Sequence, residues 1–234
     1  MIESIFIEEL TKIGIKPQKD QLAKLSKYCE LLQEYNLKIN LTSIIKKEEV
    51  YLKHFYDSLT LIKIYNFKDD IHLCDVGTGA GFPGVVIKIF FSNVKVTLVD
   101  SSKKRIQFLN ILIKELFLTG IETKHERIED HSIKNRNKYD VVTTRAVAKL
   151  NIINELCIPI TKIDGFFIAM KGNAVEEIKE VKRSLNVLNS SVEKIIEFEL
   201  PIENSKRTLI LIKKHKDTSQ EFPRPFKKIK DKPL

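Results

Sequence analysis

From Ile71 to Gly172 the sequence alternates short apolar runs with longer stretches of helical period, and that rhythm restricts the fold more than any other feature. The runs IHLCDV (71–76), VKVTLVD (94–100), IETKHERI (121–128), YDVVTTRAV (139–147) and GFFIAMKG (165–172) read as strands. Between them GVVIKIFF, SKKRIQFLNILIKELFL and VAKLNIINELCIPI read as helices, and NAVEEIKEVKRSLNVL continues the pattern after the fifth strand. Strand and helix in alternation build a parallel sheet with right-handed crossovers. The rhythm then changes. SVEKIIEFEL and RTLILIKKH are separated only by PIENSK, too little chain for a parallel return, so they must pair antiparallel. The expectation is an α/β, Rossmann-like fold with a seven-stranded sheet, five strands parallel and the last two a C-terminal antiparallel pair.

The first 65 residues hold no such alternation. After Pro17, the residues Leu22, Leu25, Cys29, Leu32, Tyr35 and Ile39 recur at steps of three or four, predicting one long amphipathic helix. Ile2–Ile13 and Lys47–Tyr65 also read as helical. The chain thus divides into an N-terminal helical extension (1–65), a sheet domain (66–215) and a tail (216–234). The closing run EFPRPFKKIKDKPL is too polar and too interrupted by proline to predict a further core element.

The stretch CDVGTGAGFPG, Cys74 to Gly84, holds four of the chain's eight glycines and lies between the first strand and its helix. Open α/β sheets bind nucleotide-like ligands at that position, where glycine permits unusual backbone angles and close approach of a ligand. The order is D-x-G-x-G-x-G, with Phe82 where the dinucleotide fingerprint requires its third glycine. Asp75 adds a carboxylate that would repel a pyrophosphate but attract an α-ammonium, directly or through water, which favours S-adenosylmethionine over a nicotinamide dinucleotide. Gly77, Gly79 and Gly81 are the loop's candidate cofactor contacts. Asp100 closes the second strand, where an acidic side chain either accepts from ribose hydroxyls or caps the following helix. Glu129 follows the third strand, as a second carboxylate near an adenine or as a solvated charge.

The three cysteines are isolated and read as small buried hydrophobes, with neither a disulfide framework nor a metal site expected. No apolar run is long enough to span a bilayer and the N-terminus lacks the layout of a secretory signal, so a cytoplasmic location is expected. Of the formal charge of +9, the segment from Lys206 onward carries ten basic and three acidic residues, a net +7. A basic segment on a nearly neutral body is the footprint of a polyanion partner, or a solubilising tail.

Beyond these physical readings, DVGTGAGFPG, NLTSI (40–44), HFYDSL (54–59), LVDSSKKRIQFL (98–109), TTRAVA (143–148) and MKG (170–172) together resemble the bacterial glucose-inhibited division protein B family. Its members are small-subunit ribosomal RNA guanine-N7 methyltransferases. The resemblance implies a class I methyltransferase fold, S-adenosyl-L-methionine as donor, and N7 of a guanine in the 530 loop of 16S ribosomal RNA as acceptor. It implies a partner that is this RNA or the small ribosomal subunit; a monomer is expected. The family's cofactor contacts map onto Gly77, Phe82, the pair Ile128 and Glu129, and Arg145, although the family more often has Ala-Glu where this chain has Ile-Glu.

Guanine N7 offers an in-plane lone pair and has no proton to lose, so in-line attack on the sulfonium methyl needs no general base and no metal; positioning supplies the rate. TTRAVA lacks the N-P-P-Y-type motif used on exocyclic amines. Arg145 suits the cofactor carboxylate or a substrate phosphate. His54 and Asp57 share a helical face with Ser58 beside them; they line the substrate side, or Asp57 or Ser58 caps a helix at 59–65. Asn40 and Thr42 sit in a turn or a pocket wall, and Lys171 ends the fifth strand where a cation meets RNA phosphate. Arg224, Lys227 and Lys228 are the tail's RNA-binding candidates, and Lys103, Lys104 and Arg105 either join them or form a solvated helix face. The competing functions are a methyltransferase with a small-molecule or protein substrate, a dinucleotide-dependent oxidoreductase, and a noncatalytic RNA-binding protein.

Overall fold

A computed structural model describes residues 1–67 and 69–234. Two helices open the chain, α1 (Glu3–Lys12) and α2 (Lys19–Ile39). Leu25, Tyr28, Cys29 and Leu32 form the buried stripe of α2, as their spacing dictates. Gln18 caps that helix through a reciprocal box with Gln21, and Asn40 ends it in the left-handed conformation at φ 49°. The next helical stretch runs without interruption through α3 (Lys47–Val50), a π-helical segment (Tyr51–Tyr56), α4 (Asp57–Leu59) and a 3-10 turn (Thr60–Lys63). Asp57 and Ser58 therefore lie inside a helix and do not cap one.

The strands are β1 (His72–Val76), β2 (Lys95–Asp100), β3 (Ile121–His125), β4 (Tyr139–Arg145), β5 (Thr161–Lys171), β6 (Ser190–Glu199) and β7 (Lys206–Lys214). They form one seven-stranded sheet in the order β3-β2-β1-β4-β5-β7-β6. The first five are parallel; β7 runs antiparallel to β5 and β6 antiparallel to β7. The chain reverses its direction of travel across the sheet between β1 and β4, which opens a crevice at the carboxyl ends of those strands. Because β7 is antiparallel, its first residues lie at this same edge, with Thr208 opposite Lys171.

Side chains alternate across the sheet and separate two cores. Leu73, Leu98 and Ile168 pack with α1, α2, the 41–67 segment, α5 (Gly84–Phe90) and α6 (Lys103–Glu115), so the N-terminal helices and the sheet share one hydrophobic core. Cys74, Val99 and Ala169 pack on the other face against α7 (Ile128–Lys134), α8 (Leu150–Cys157), α9 (Val175–Glu180), α10 (Lys182–Val187) and α11 (Phe226–Asp231). All three cysteines are free and buried.

Three local expectations need correction. The third strand stops at His125, and Ile128 opens α7 instead of ending the strand. The predicted helix after β5 is two helices meeting at Val181. The tail also contributes to the core: α11 forms, Ile229 is fully buried and Phe222 nearly so. Polar composition concealed this element because only one of its residues, Ile229, is buried.

Candidate active site

The loop after β1 carries positive φ at Gly77 (68°), Gly79 (61°) and Gly81 (107°), angles at which a Cβ crowds the backbone. The three glycines serve different ends. A Cβ on Gly79 would meet nothing closer than Gly77 O at 4.0 Å, so this backbone is bare toward the crevice. A Cβ on Gly81 would stand 2.6 Å from Tyr28 Oη and 2.7 Å from Val85 Cγ2. Gly77 and Gly79 line the cavity, whereas Gly81 is outside the lining and lets the loop close onto α2.

Asp75 is likewise a loop organiser. Its buried Oδ2 accepts from Thr78 Oγ1 (2.6 Å) and Gly84 N (2.8 Å), while Oδ1 has no hydrogen-bond partner among the described residues. Burial pushes its carboxyl up to about 6. The side chain lies outside the cavity lining, beneath the loop whose main chain faces the crevice.

Asp100 at the end of β2 lines the cavity and ties together the segments around it, while the cap of α6 is Ser102. Oδ1 accepts from Ser102 N (2.8 Å) before α6, and Oδ2 accepts from Gly79 N (3.0 Å), tying the glycine loop to β2. Beyond β3 the cavity is lined by Glu126 and Ile128. Glu129 is outside the lining, and its carboxylate accepts from Arg127 Nε at 2.7 Å. Glu126 is the carboxylate in its place, held by His131 Nδ1 at 2.8 Å. Burial lowers His131 toward the neutral form, so Nδ1–H donates to Glu126 and Nε2 accepts from Tyr139 Oη at 2.8 Å.

The other half of the cavity is walled by Leu41, Thr42, Ile44, the π-helical segment and the start of β7. The π segment is a local widening of the helix of the kind often found at functional sites. His54 and Asp57 both line this half. The His54 ring stacks on Phe82 at 4.3 Å between centroids, and Phe82 stacks in turn on Tyr28 at 5.2 Å. His54 Nδ1 lies 3.1 Å from Arg145 Nη2 and Nε2 lies 3.1 Å from Thr42 Oγ1. A guanidinium only donates, so Nδ1 accepts and Nε2 carries the proton toward Thr42. Burial, reinforced by Arg145, lowers His54 to about 3, leaving a neutral imidazole at physiological pH.

Arg145 also donates to Lys53 O (2.8 Å), pairs with Asp57 Oδ2 (3.4 Å) and lies 5.2 Å from the Phe82 ring centroid. Asp57 receives Arg207 Nε on its other oxygen at 3.1 Å. Burial raises the Asp57 carboxyl, and the two guanidinium groups oppose that shift.

Several expected substrate contacts fall elsewhere. Asn40 and Ser58 are outside the lining: Asn40 ends α2, and Ser58 Oγ donates to His54 O at 2.6 Å. Lys171 lines the cavity, but its ammonium pairs with Glu177 at 2.9 Å and donates to Ala148 O, which anchors the 146–149 loop. Arg224 grips the fully buried Glu155 with Nε at 2.8 Å and Nη2 at 2.6 Å, so its charge is already neutralised inside the protein. Lys227 and Lys228 are exposed on α11, away from the lining. Among the lining residues that sequence reasoning did not select are Leu41, Ile44, Lys53, Glu126, Met170, Arg207 and Leu209. A signal existed for Arg207 and Leu209, since an antiparallel last pair brings the start of β7 to the ligand edge, and for Leu41, Ile44 and Met170, which lie in NLTSI and MKG.

The cavity encloses about 940 Å³, at the upper end of the roughly 300–1,000 Å³ of small-molecule sites. It runs from Asp100, Glu126 and Ile128 past the bare backbone at Gly79 to His54 and Arg207. Those residues fit an S-adenosylmethionine-like group: an acidic end for ribose, main chain open to close approach, and apolar walls. Among the described residues no three His, Cys, Asp or Glu side chains are grouped to hold a metal, and no helix is long and apolar enough to cross a membrane.

This strand order, with a glycine loop after β1 and an acidic end to β2, defines the class I methyltransferase fold. Solved structures with the same fold include a SAM-dependent methyltransferase from Aquifex aeolicus, 18% identical with a TM-score of 0.52 over 74% of this chain and 96% of that one. The [4+2]-cyclase SpnF also matches, at 10% identity and a TM-score of 0.55 over 68% of this chain and 81% of that one, so these likenesses speak for the fold alone. Sequence is more particular. Residues 21–209 match the family model GidB, rRNA small subunit methyltransferase G. A ribosomal RNA small subunit methyltransferase G of Bacillus cytotoxicus is 46% identical over 222 residues, 94% of this chain and 93% of that protein. The chain belongs to the GidB family.

Proposed function

We propose that this enzyme transfers a methyl group from S-adenosylmethionine to N7 of a guanine in the 530 loop of 16S ribosomal RNA, acting in the cytoplasm as a monomer. Bound at the glycine loop, the cofactor supplies an electrophilic methyl on a sulfonium. Gly77 and Gly79 give it main-chain contact, Asp100 and Glu126 face its ribose and adenine end, and Ile128 provides an apolar wall.

The observation that carries the N7 reading is that neither titratable group at the centre of the substrate half is free to accept a proton. His54 Nδ1 is occupied by Arg145, and the Asp57 carboxylate is held between Arg145 and Arg207. An amine or hydroxyl acceptor would need a base there; N7 needs none. The chain's residues then act by positioning and by excluding water. Leu41, Ile44 and the neutral His54 offer walls for an extruded base. The alkylated base gains positive charge, which a neutral imidazole tolerates and an imidazolium would oppose.

The test is transfer of labelled methyl groups to small ribosomal subunits lacking the modification, followed by mapping of the labelled nucleotide and atom. Incorporation at guanine N7 in the 530 loop is expected. Label on another atom or loop refutes the finer assignment, and no label in RNA refutes the substrate.

A further inference from the structure

We infer that Arg207 is the oxyanion clamp of the substrate half, binding a backbone phosphodiester of the RNA beside the target nucleotide, and that Asp57 is the positioning residue that aims it. The inference rests on the proposed RNA substrate and deepens it.

Five cationic side chains line the cavity: Lys53, Arg105, Arg145, Lys171 and Arg207. Lys53 is shared between Glu49 (3.1 Å) and Glu203 (3.0 Å), and Lys171 is paired with Glu177. Arg145 is used on three sides, by Asp57, His54 and Lys53 O. Arg105 stands beside Asp100 at the cofactor end. Arg207 differs from these. Nε donates to Asp57 and Nη1 to Ser205 Oγ (3.2 Å) and Lys206 O (2.9 Å), while Nη2 has no hydrogen-bond partner among the described residues. Two of the three nitrogens of this cavity-lining residue thus fix the plane of the fork and leave the third as an unused donor among the described residues, a preorganised arrangement for an oxyanion.

Charge points the same way. Asp57 is buried between two guanidinium groups, so the trio of Asp57, Arg145 and Arg207 carries one net positive charge. A phosphodiester carries the single negative charge that balances it.

Position separates this anion from the cofactor's own carboxylate. The glycine loop follows β1, and β7 lies beyond β4 and β5 in the sheet order. Three inter-strand spacings set the backbone of β7 about 14 Å across the edge from β1. The antiparallel run of β7 is what carries an arginine from the chain's C-terminal third to this edge.

The experiment measures binding of wild type, Arg207→Gln and Arg207→Lys to small ribosomal subunits lacking the modification, across a salt series, with S-adenosylmethionine affinity measured by calorimetry in parallel. Arg207→Gln should bind the subunit about tenfold more weakly, and its log-log salt slope should fall by about 0.7–0.9, the loss of one phosphate contact. Cofactor affinity should stay within about twofold of wild type, since the residue lies outside the cofactor half. Arg207→Lys should keep the slope and recover part of the affinity. An unchanged slope in Arg207→Gln overturns the inference. So does a parallel loss of cofactor affinity, which would assign the arginine to the methionine carboxylate. Phosphate-ethylation interference on the RNA with the wild-type chain is a second measurement that survives a misfolded variant. Modification should be blocked by ethyl groups flanking the target nucleotide, and the absence of interference there overturns the inference. If wild type methylates no RNA the proposed function itself fails; if it does and these readouts are flat, only the role of Arg207 falls.

Discussion

Replacing Arg224 by alanine should destabilise the whole fold without touching the cavity. Glu155 on α8 is completely buried, and its carboxylate receives three hydrogen bonds from one residue: Arg224 N and Nε at 2.8 Å and Nη2 at 2.6 Å. Alanine keeps the main-chain bond and removes both charge-assisted ones, leaving a carboxylate in the core with one neutral donor. Breaking a buried ion pair from one side typically costs about 3–5 kcal/mol. At about 2–4 °C per kcal/mol for a chain of this size, the melting temperature should fall by roughly 6–20 °C. Urea denaturation and thermal melts, each followed by circular dichroism, measure it. The compensating double variant, Glu155→Met with Arg224→Leu, removes both charges and should recover most of the loss, because matched apolar side chains often replace a buried pair at little cost. Lys227→Ala with Lys228→Ala, on the exposed side of α11, should leave stability within about 0.5 kcal/mol of wild type. If Arg224→Ala melts within about 2 °C of wild type, the tail is a solvated appendage and the reading of α11 as a core element is wrong.

The two loop glycines should separate by readout. Gly79→Val places a side chain in the open crevice, so calorimetry should register loss of cofactor binding with the fold retained; unchanged affinity refutes the loop assignment. Gly81→Ala drives a methyl against Tyr28 Oη and Val85 at a φ of 107°, and should lower the melting temperature; an unaltered melt refutes the packing role. His54 links stability to pH. Its folded value near 3 lies below the ordinary 6.5 of a histidine, so the unfolded chain binds the proton first, and stability falls as pH drops from about 6.5 toward 3. Asp75, raised from 3.8 to about 6, acts with the opposite sign, lowering stability as pH rises through that interval. The difference between wild type and His54→Gln isolates the histidine: the gap in unfolding free energy should shift in favour of the variant below pH 6.5, and a pH-independent gap refutes the buried neutral imidazole.

Much of the architecture was legible because it follows from local periodicity. Strand and helix alternation sufficed for five parallel strands, and the short PIENSK link for the antiparallel pair, since chain length between strands limits which pairings are possible. The glycine loop and the acidic end of β2 were legible for a similar reason, as Gly77, Gly79 and Asp100 owe their place to the ends of adjacent strands. Glu126 in place of Glu129 was a matter of where β3 stops, and strand ends depend on which neighbour remains to pair with.

Charge was the property that composition could count but not allocate. Asp75, Lys171 and Arg224 stand at positions where a ligand contact was reasonable, and each is engaged by protein groups instead: Thr78 and Gly84, Glu177 and Ala148, Glu155. Those partners are between three and 69 residues away in sequence. A buried charge needs an opposite charge or hydrogen-bond partners, and which ones it obtains is settled only when distant segments pack. Arg207 is the converse case. Counted with the basic tail, it reaches the cavity because β7 enters the sheet antiparallel and because Asp57, 150 residues earlier, holds its guanidinium there. By itself the sequence determined the order of elements and the glycine loop, which local sterics and periodicity specify. The tertiary structure decided which charges remain available to a ligand, because neutralisation inside a protein is a long-range property of the packed chain.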